Sequence, residues 1–287
     1  MSIVSVVNQP TGLTLKLGRN VPRVIHPHLH LRNYLLKSLP SPPAAVDYSG
    51  PAKAWLANVL LNDQLGDCLD AASFHVGGTL LANAGEPIPF TTSDVSAFYS
   101  GSAGYVPGNA STDQGGTWQA TLAYWQSNGL TPQQHQIEGY AGVDATDPEE
   151  VQTAVWLFEN VDIGMSLPKE WVAMMQTLQN GFVWDVAGDP DPENGHAVCS
   201  VTSDESGLTI DSWGIIGKMT WPAVAKYCIP ANQGEMYTVF SRDAINSAMG
   251  VAPSGFDFTA LQADLHMLSM PHRHHHPSPQ KPSPRPK

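Results

Sequence analysis

Residues 62–74 read "NDQLGDCLDAASF", and how their cysteine is read decides the fold. Cys68 follows Gly66 and Asp67. It opens a run, "CLDAASFHVGGTLLANAG", in which Leu69, Ala72, Phe74, Val76, Leu80 and Leu81 recur on a roughly helical period. Asp67 has the chemistry of an N-cap, because its carboxylate can accept from the free amides of a first turn, and Gly85 closes the helix. Cys68 therefore stands at a helix N-terminus, whose partial positive charge favours a thiolate. Asp67 and Asp70 oppose this, since neighbouring carboxylates disfavour a further anion. A thiol so placed is either a small buried residue or a nucleophile, and a nucleophile needs a base.

Downstream, "ENGHAVCSV" sets His196 at the start of a strand, and "TIDSWG" presents Asp211 fifteen residues later. The "SDESG" turn between them predicts a hairpin that brings His196 and Asp211 side by side, with Asp211 orienting the imidazole. Trp213 is placed to cover that pair and exclude water. Cys199 lies three residues after His196, hence on the other face of the strand, and reads as core, as does Cys228.

"DQLGDCLDAASF", "GHAV" and "DSWG", in that order, resemble the papain-like cysteine peptidases. "LPSPPAAVDY" is similar to the segment that opens the mature domain of that family. "DQGGTWQATLAYWQSNGL" is similar to its cleft-bordering Gly-Gly segment and helix. "DPEEVQTAVWLFENVDIGMSL" is similar to its following helix and strand. The likeness runs from about residue 40 to 245. It implies an α+β, two-lobed fold, with Cys68 on a helical lobe facing His196 on an antiparallel β lobe. It also implies a cysteine peptidase acting on a peptide or protein through a thioester. Cys68 would be the nucleophile, His196 the base and then the acid, and Asp211 the orienting residue where the family carries Asn. The backbone at Gly115 and Gly116, with Trp213, would bind substrate. The oxyanion hole needs a side-chain donor beside the Cys68 amide. Spacing points to Asn62 and residue type to Gln64, which leaves two candidates. Two other readings of the fold are an amidase or transferase using the same residues, and an inactive binding or structural module.

Composition sets the outer bounds. The 287 residues are enough for a sizeable core, and 42% hydrophobic against 14% charged residues describes a globular chain. A formal charge of −12 argues against a nucleic-acid partner but leaves room for a cationic substrate. No apolar run approaches a membrane span and "MSIVSVVNQPTG" is no secretory signal, so a cytoplasmic protein is expected. Three distant cysteines predict neither a disulfide framework nor a zinc knuckle and fit a reducing compartment. His26, His28 and His30 alternate without Cys or carboxylate neighbours, so no metal site and no cofactor is expected. Oligomeric state is not legible in the sequence.

Along the chain, residues 1–45 read as an irregular leader and 46–250 as the papain-like domain, with a helical lobe at about 50–145 and a β lobe at about 146–245. Asp147, Pro148, Glu149 and Glu150 announce a helix start. "VDIGMSL", "HAVCSVTS", "LTIDSW" and "MYTVFS" read as strands, and "TWPAVAKYC" as a short helix. Residues 251–269 read as a last helix with Phe258, Leu261, Leu265 and Leu268 on one side. Residues 270–287 read as a disordered, His- and Pro-rich basic tail. The leader is shorter and less helical than prosegments of the family. It is therefore expected to be an arm packed on the lobes rather than a cover over the cleft.

Overall fold

The structure is a computed structural model that describes residues 3–23, 28–252 and 254–269. The tail at 270–287 and His26 lie outside the described residues. The fold is α+β. Helices Cys68–Asn83, Thr92–Ala103 and Trp118–Asn128 pack as one lobe. The other lobe is built on a sheet with strand order Leu29–His30, Gly139–Gly142, Glu235–Phe240, Val161–Ser166, Gly195–Asp204, Gly207–Ser212, Ile215–Thr220 and Phe182–Trp184. Its central pairings are antiparallel, and only the two outer pairings are parallel.

The helix that starts at Cys68 is buried at every position from Cys68 to Thr79, which is why its sequence lacks a polar stripe. It lies against the strand Gly195–Asp204, and Gly77 and Gly78 let neighbours come close. A Cβ at Gly77 would stand 2.2 Å from Leu130 Cδ1, and one at Gly78 would stand 2.3 Å from Trp55 Nε1. The helical lobe has its own core of Leu69, Phe74, Phe98, Trp118, Leu122 and Trp125, and Cys68 belongs to it. The larger core lies under the sheet and includes Phe158, Ile163, Trp171, Trp184 and Phe240.

The anticipated strands and the helices Pro148–Phe158 and Trp221–Tyr227 form where their patterns put them. Asp147 caps the former, accepting from the amides of Glu149 and Glu150 at 3.1 and 3.3 Å. Asp67 occupies the N-cap position of the cysteine helix, but its side chain makes no capping bond. The carboxyl is fully enclosed, and burial together with Asp70 pushes its pKa well up, so it is not the anionic cap the sequence suggested. The leader is more ordered than its composition implies. Ser5–Val7 and Thr14–Lys16 pair as an antiparallel hairpin, and Leu29–His30 joins the main sheet. Phe258, Leu261 and Leu265 of the last helix are buried; the Leu268 side chain is outside the described set. Tyr34 donates to Asp264 at 2.8 Å, tying that helix to the leader. Among the described residues no helix is long and apolar enough to cross a membrane, and no group of three or more ligating side chains could hold a metal ion.

Candidate active site

Cys68 belongs to the helical lobe and His196 to the sheet lobe, and at the seam between them the amide of Ala197, next to His196, approaches the sulfur. Cys68 comes from the first turn of its helix and His196 from the second residue of the strand Gly195–Asp204. The His196 ring lies flat on the indole of Trp213, with centroids 4.2 Å apart and planes 13° off parallel. Its Nε2 is 2.8 Å from Ser212 Oγ, and Nδ1 has no hydrogen-bond partner among the described residues.

Asp211 does not orient His196. Its Oδ2 lies 3.1 Å from Nδ1 of His75, and its Oδ1 accepts from the Gly214 amide at 3.1 Å. The reason is register. Asp211 stands opposite Cys199, and directly opposed residues share a face of the sheet, the face away from His196. Ser212, one residue on, points the other way and meets the imidazole. His75 sits two turns along the helix from Cys68, with Nε2 2.9 Å from the Asn58 carbonyl. Burial lowers His75 to about 4 and pushes Asp211 well above the carboxylate range. With Nε2–H given to Asn58, His75 Nδ1 stands 3.1 Å from Asp211 Oδ2, without hydrogen-bond geometry between them. Neither His75 nor Ser212 was marked by the sequence. Both follow once the register is known.

Neither candidate oxyanion donor points at the thiol. The Asn62 side chain donates to the Leu65 carbonyl at 3.0 Å, closing its own turn, and Gln64 is exposed with its carbonyl taken by Lys16 Nζ. Leu60 and Leu61, both at positive φ, fix the shape of this turn.

The seam is filled by the leader. The Lys16 amide donates to the Asn62 carbonyl at 3.2 Å, and the Lys16 carbonyl accepts from the Trp213 indole at 3.0 Å. Gly116 donates to the Gly18 carbonyl at 2.9 Å and accepts from the Asn20 amide at 2.6 Å. On the opposite wall, the Arg19 amide donates to the Gly195 carbonyl at 3.1 Å. The leader thus pairs with the backbone of both lobes across the cysteine, where the arm expectation had placed it outside the cleft. Glycines make the fit. A Cβ on Gly18 would lie 1.7 Å from the Gly66 carbonyl oxygen, and one on Gly195 would lie 1.9 Å from that of Arg19. Tyr99 holds the Gly115 amide at 2.9 Å, which fixes the Gly115–Gly116 edge.

This covering sets the protonation states. Burial pushes the Cys68 thiol up to about 12; the Ala197 and Gly18 amides pull it down, and Asp67 and Asp70 add to the rise. Burial lowers His196 to about 3. Near pH 7 burial thus keeps the thiol and the imidazole in their neutral forms. The Gly18 carbonyl is bonded to Gly116 while the Gly18 amide faces the sulfur. Cys68, Cys199 and Cys228 are all free and buried.

A helical lobe packed on a largely antiparallel sheet lobe is the architecture of the papain-like fold. Solved structures agree. The chain is similar to xylellain, a cysteine protease from Xylella fastidiosa, at TM-score 0.58 and 14% identity, over 79% of this chain and 97% of that one. It is similar to the digestive procathepsin L2 proteinase of the Tenebrio molitor larval midgut at TM-score 0.54 and 14% identity, over 84% of each chain. It is similar to a recombinant stem bromelain precursor at TM-score 0.51 and 14% identity, again over 84% of each. No family model and no curated protein matches the sequence.

Proposed function

We propose that this protein is a cysteine peptidase held latent by its own leader. One observation carries the reading. A peptide segment, residues 16–20, lies extended over Cys68 and is hydrogen-bonded on one side to Gly116 and on the other to Gly195, the residue before His196. A cleft that grips backbone on both walls above a thiol is shaped for a polypeptide rather than for a small amide. In this reading, removal of the leader admits water. The desolvation that keeps Cys68 and His196 neutral is relieved, and proton transfer from thiol to imidazole becomes accessible. Cys68 then attacks the peptide carbonyl, and imidazolium returns the proton to the leaving amine. The Cys68 amide at the helix N-terminus supplies one oxyanion donor, and the Asn62 amide becomes the second if its turn opens with Lys16. Ser212 holds Nε2 so that Nδ1 stays free for the thiol.

The test uses the full chain. Gly18→Ala cannot keep the leader seated, because its Cβ would meet the Gly66 carbonyl. The variant is expected to hydrolyse fluorescent casein where the parent does not, and Cys68→Ser in the same background is expected to abolish it. A Gly18→Ala chain whose leader is open to trypsin at Lys16, yet which cleaves nothing and labels no faster at Cys68, overturns the proposal in favour of an inactive module.

A further inference from the structure

We infer that the pocket filled by Arg19 is the specificity pocket of this cleft and that Glu235 makes it select an arginine side chain in the substrate; this rests on the peptidase reading above. Arg19 is the leader residue after Gly18, and its backbone pairs with Gly116 in a parallel bridge while donating to Gly195. Its side chain leaves the cleft for the interior and is 1% exposed. There Nε and Nη2 both donate to Glu235 Oε1, at 2.9 and 2.7 Å. Glu235 is itself buried, and its Oε2 accepts from the Tyr237 hydroxyl at 3.0 Å. Gly164, the cross-strand partner of Glu235, opens the passage: a Cβ there would stand 2.5 Å from Arg19 Nε. A cavity of about 640 Å³ continues beside the guanidinium, lined in part by His28, Val143, Cys228 and Tyr237.

Anchoring alone does not call for this arrangement. Leu15 and Leu17 of the same segment are buried and hold it without charge. A buried ion pair adds little net stability over apolar packing, but it discriminates strongly between ligands, because the wrong one leaves a charge unpaired. A planar fork presents two donors to one carboxylate from one direction, which an ammonium cannot match and a neutral urea of the same shape matches without charge. The pocket therefore favours arginine over lysine and over citrulline, and an acidic chain of net charge −12 suits a cationic substrate.

The experiment separates this from the peptidase reading. Full-length Gly18→Ala/Cys68→Ser, which binds but cannot react, is titrated with a fluorescent synthetic copy of residues 13–23 and with copies carrying citrulline or lysine in place of Arg19. The arginine copy is expected to bind on the order of 30-fold or more tightly than either, and Glu235→Gln to erase most of that difference. Equal affinities overturn the inference whether or not the protein is a hydrolase. Arg19→Ala, which vacates the pocket directly, serves as the second background should Gly18→Ala not fold. In the Cys68 chain, a peptide library is expected to be cut with arginine enriched at one fixed position. Cleavage without that enrichment overturns the pocket and leaves the peptidase; no cleavage at all, with the binding preference intact, overturns the peptidase and leaves the pocket.

Discussion

The carboxyl of Asp211 closes on Nδ1 of His75 at 3.1 Å, two helical turns from Cys68, while His196 takes the hydroxyl of Ser212 at 2.8 Å. Two histidines thus have different partners, and the acid meets His75 rather than His196. That division governs how variants behave.

Ser212→Ala is expected to lower kcat of the leader-displaced protein about tenfold, because the imidazole loses the bond that fixes its ring. Asp211→Asn is expected to leave kcat within about twofold, since the residue lies on the other face of the sheet. Steady-state rates on one peptide substrate compare the two; a collapse with Asp211→Asn and none with Ser212→Ala would restore the aspartate to the catalytic set.

For stability the order reverses. If Asp211 is the neutral donor to His75, an asparagine amide replaces it with little loss, within about 1 kcal/mol, whereas Asp211→Ala strands the ring nitrogen and costs about 1–3 kcal/mol. An ionised Asp211 would instead make Asp211→Asn cost about 3–5 kcal/mol. Urea midpoints at pH 7 distinguish the two.

Stability should fall toward alkaline pH. His75 at about 4 and His196 at about 3 are depressed by burial, so below about pH 6.5 the unfolded chain binds protons that the folded chain does not, a contribution that opposes that of the buried acids between about pH 4 and 6.5. Asp70, raised to about 7, and Asp162, raised to about 8, work in the opposite sense. They hold protons that the unfolded chain releases above about pH 4, so their contribution declines from there and is gone once pH has passed 7 to 8. Asp162 has no partner for either oxygen among the described residues. Asp162→Asn is therefore expected to gain on the order of 1–3 kcal/mol over the parent on going from pH 6 to pH 9. A flat urea midpoint across that range in the parent would refute the neutral buried acids.

Thiol chemistry reports on the leader. In the parent, iodoacetamide is expected to label Cys68 slowly at pH 7, because the residue is only 2% exposed and burial pushes its thiol pKa up to about 12. Displacement by Gly18→Ala should raise the rate at least about tenfold, and His196→Ala in that background should lower it again. Mass spectrometry of the labelled peptides measures both; equal, slow labelling of all three cysteines in every variant would mean the cleft never opens.

Much of this was legible in the chain. The helix beginning at Cys68, the capped helix at Pro148, the strand carrying His196 and the turns between the strands all follow from chemistry within a few residues. The neighbourhood of Cys68, Gly116 and His196 was legible only as an ordered set of short motifs, each weak by itself. Arg19 and Glu235 carried no local signal, because a leader arginine and a strand glutamate 216 residues apart reveal nothing until they meet.

By itself the sequence determined the elements and their order, since caps, turn residues and apolar periods act locally and survive any arrangement of the rest. Tertiary structure alone decided which acid meets which histidine. The hairpin leaves its turn with Thr202 opposite Thr209 and reaches Cys199 opposite Asp211 only through an irregularity between Ser200 and Thr202. The Ser200 hydroxyl stitches that bulge to the Thr202 and Thr209 carbonyls at 2.8 and 2.7 Å. One extra residue in one strand turns every later side chain to the other face. In regular pairing Asp211 would share a face with His196; with the bulge it faces His75 and leaves Ser212 at the imidazole.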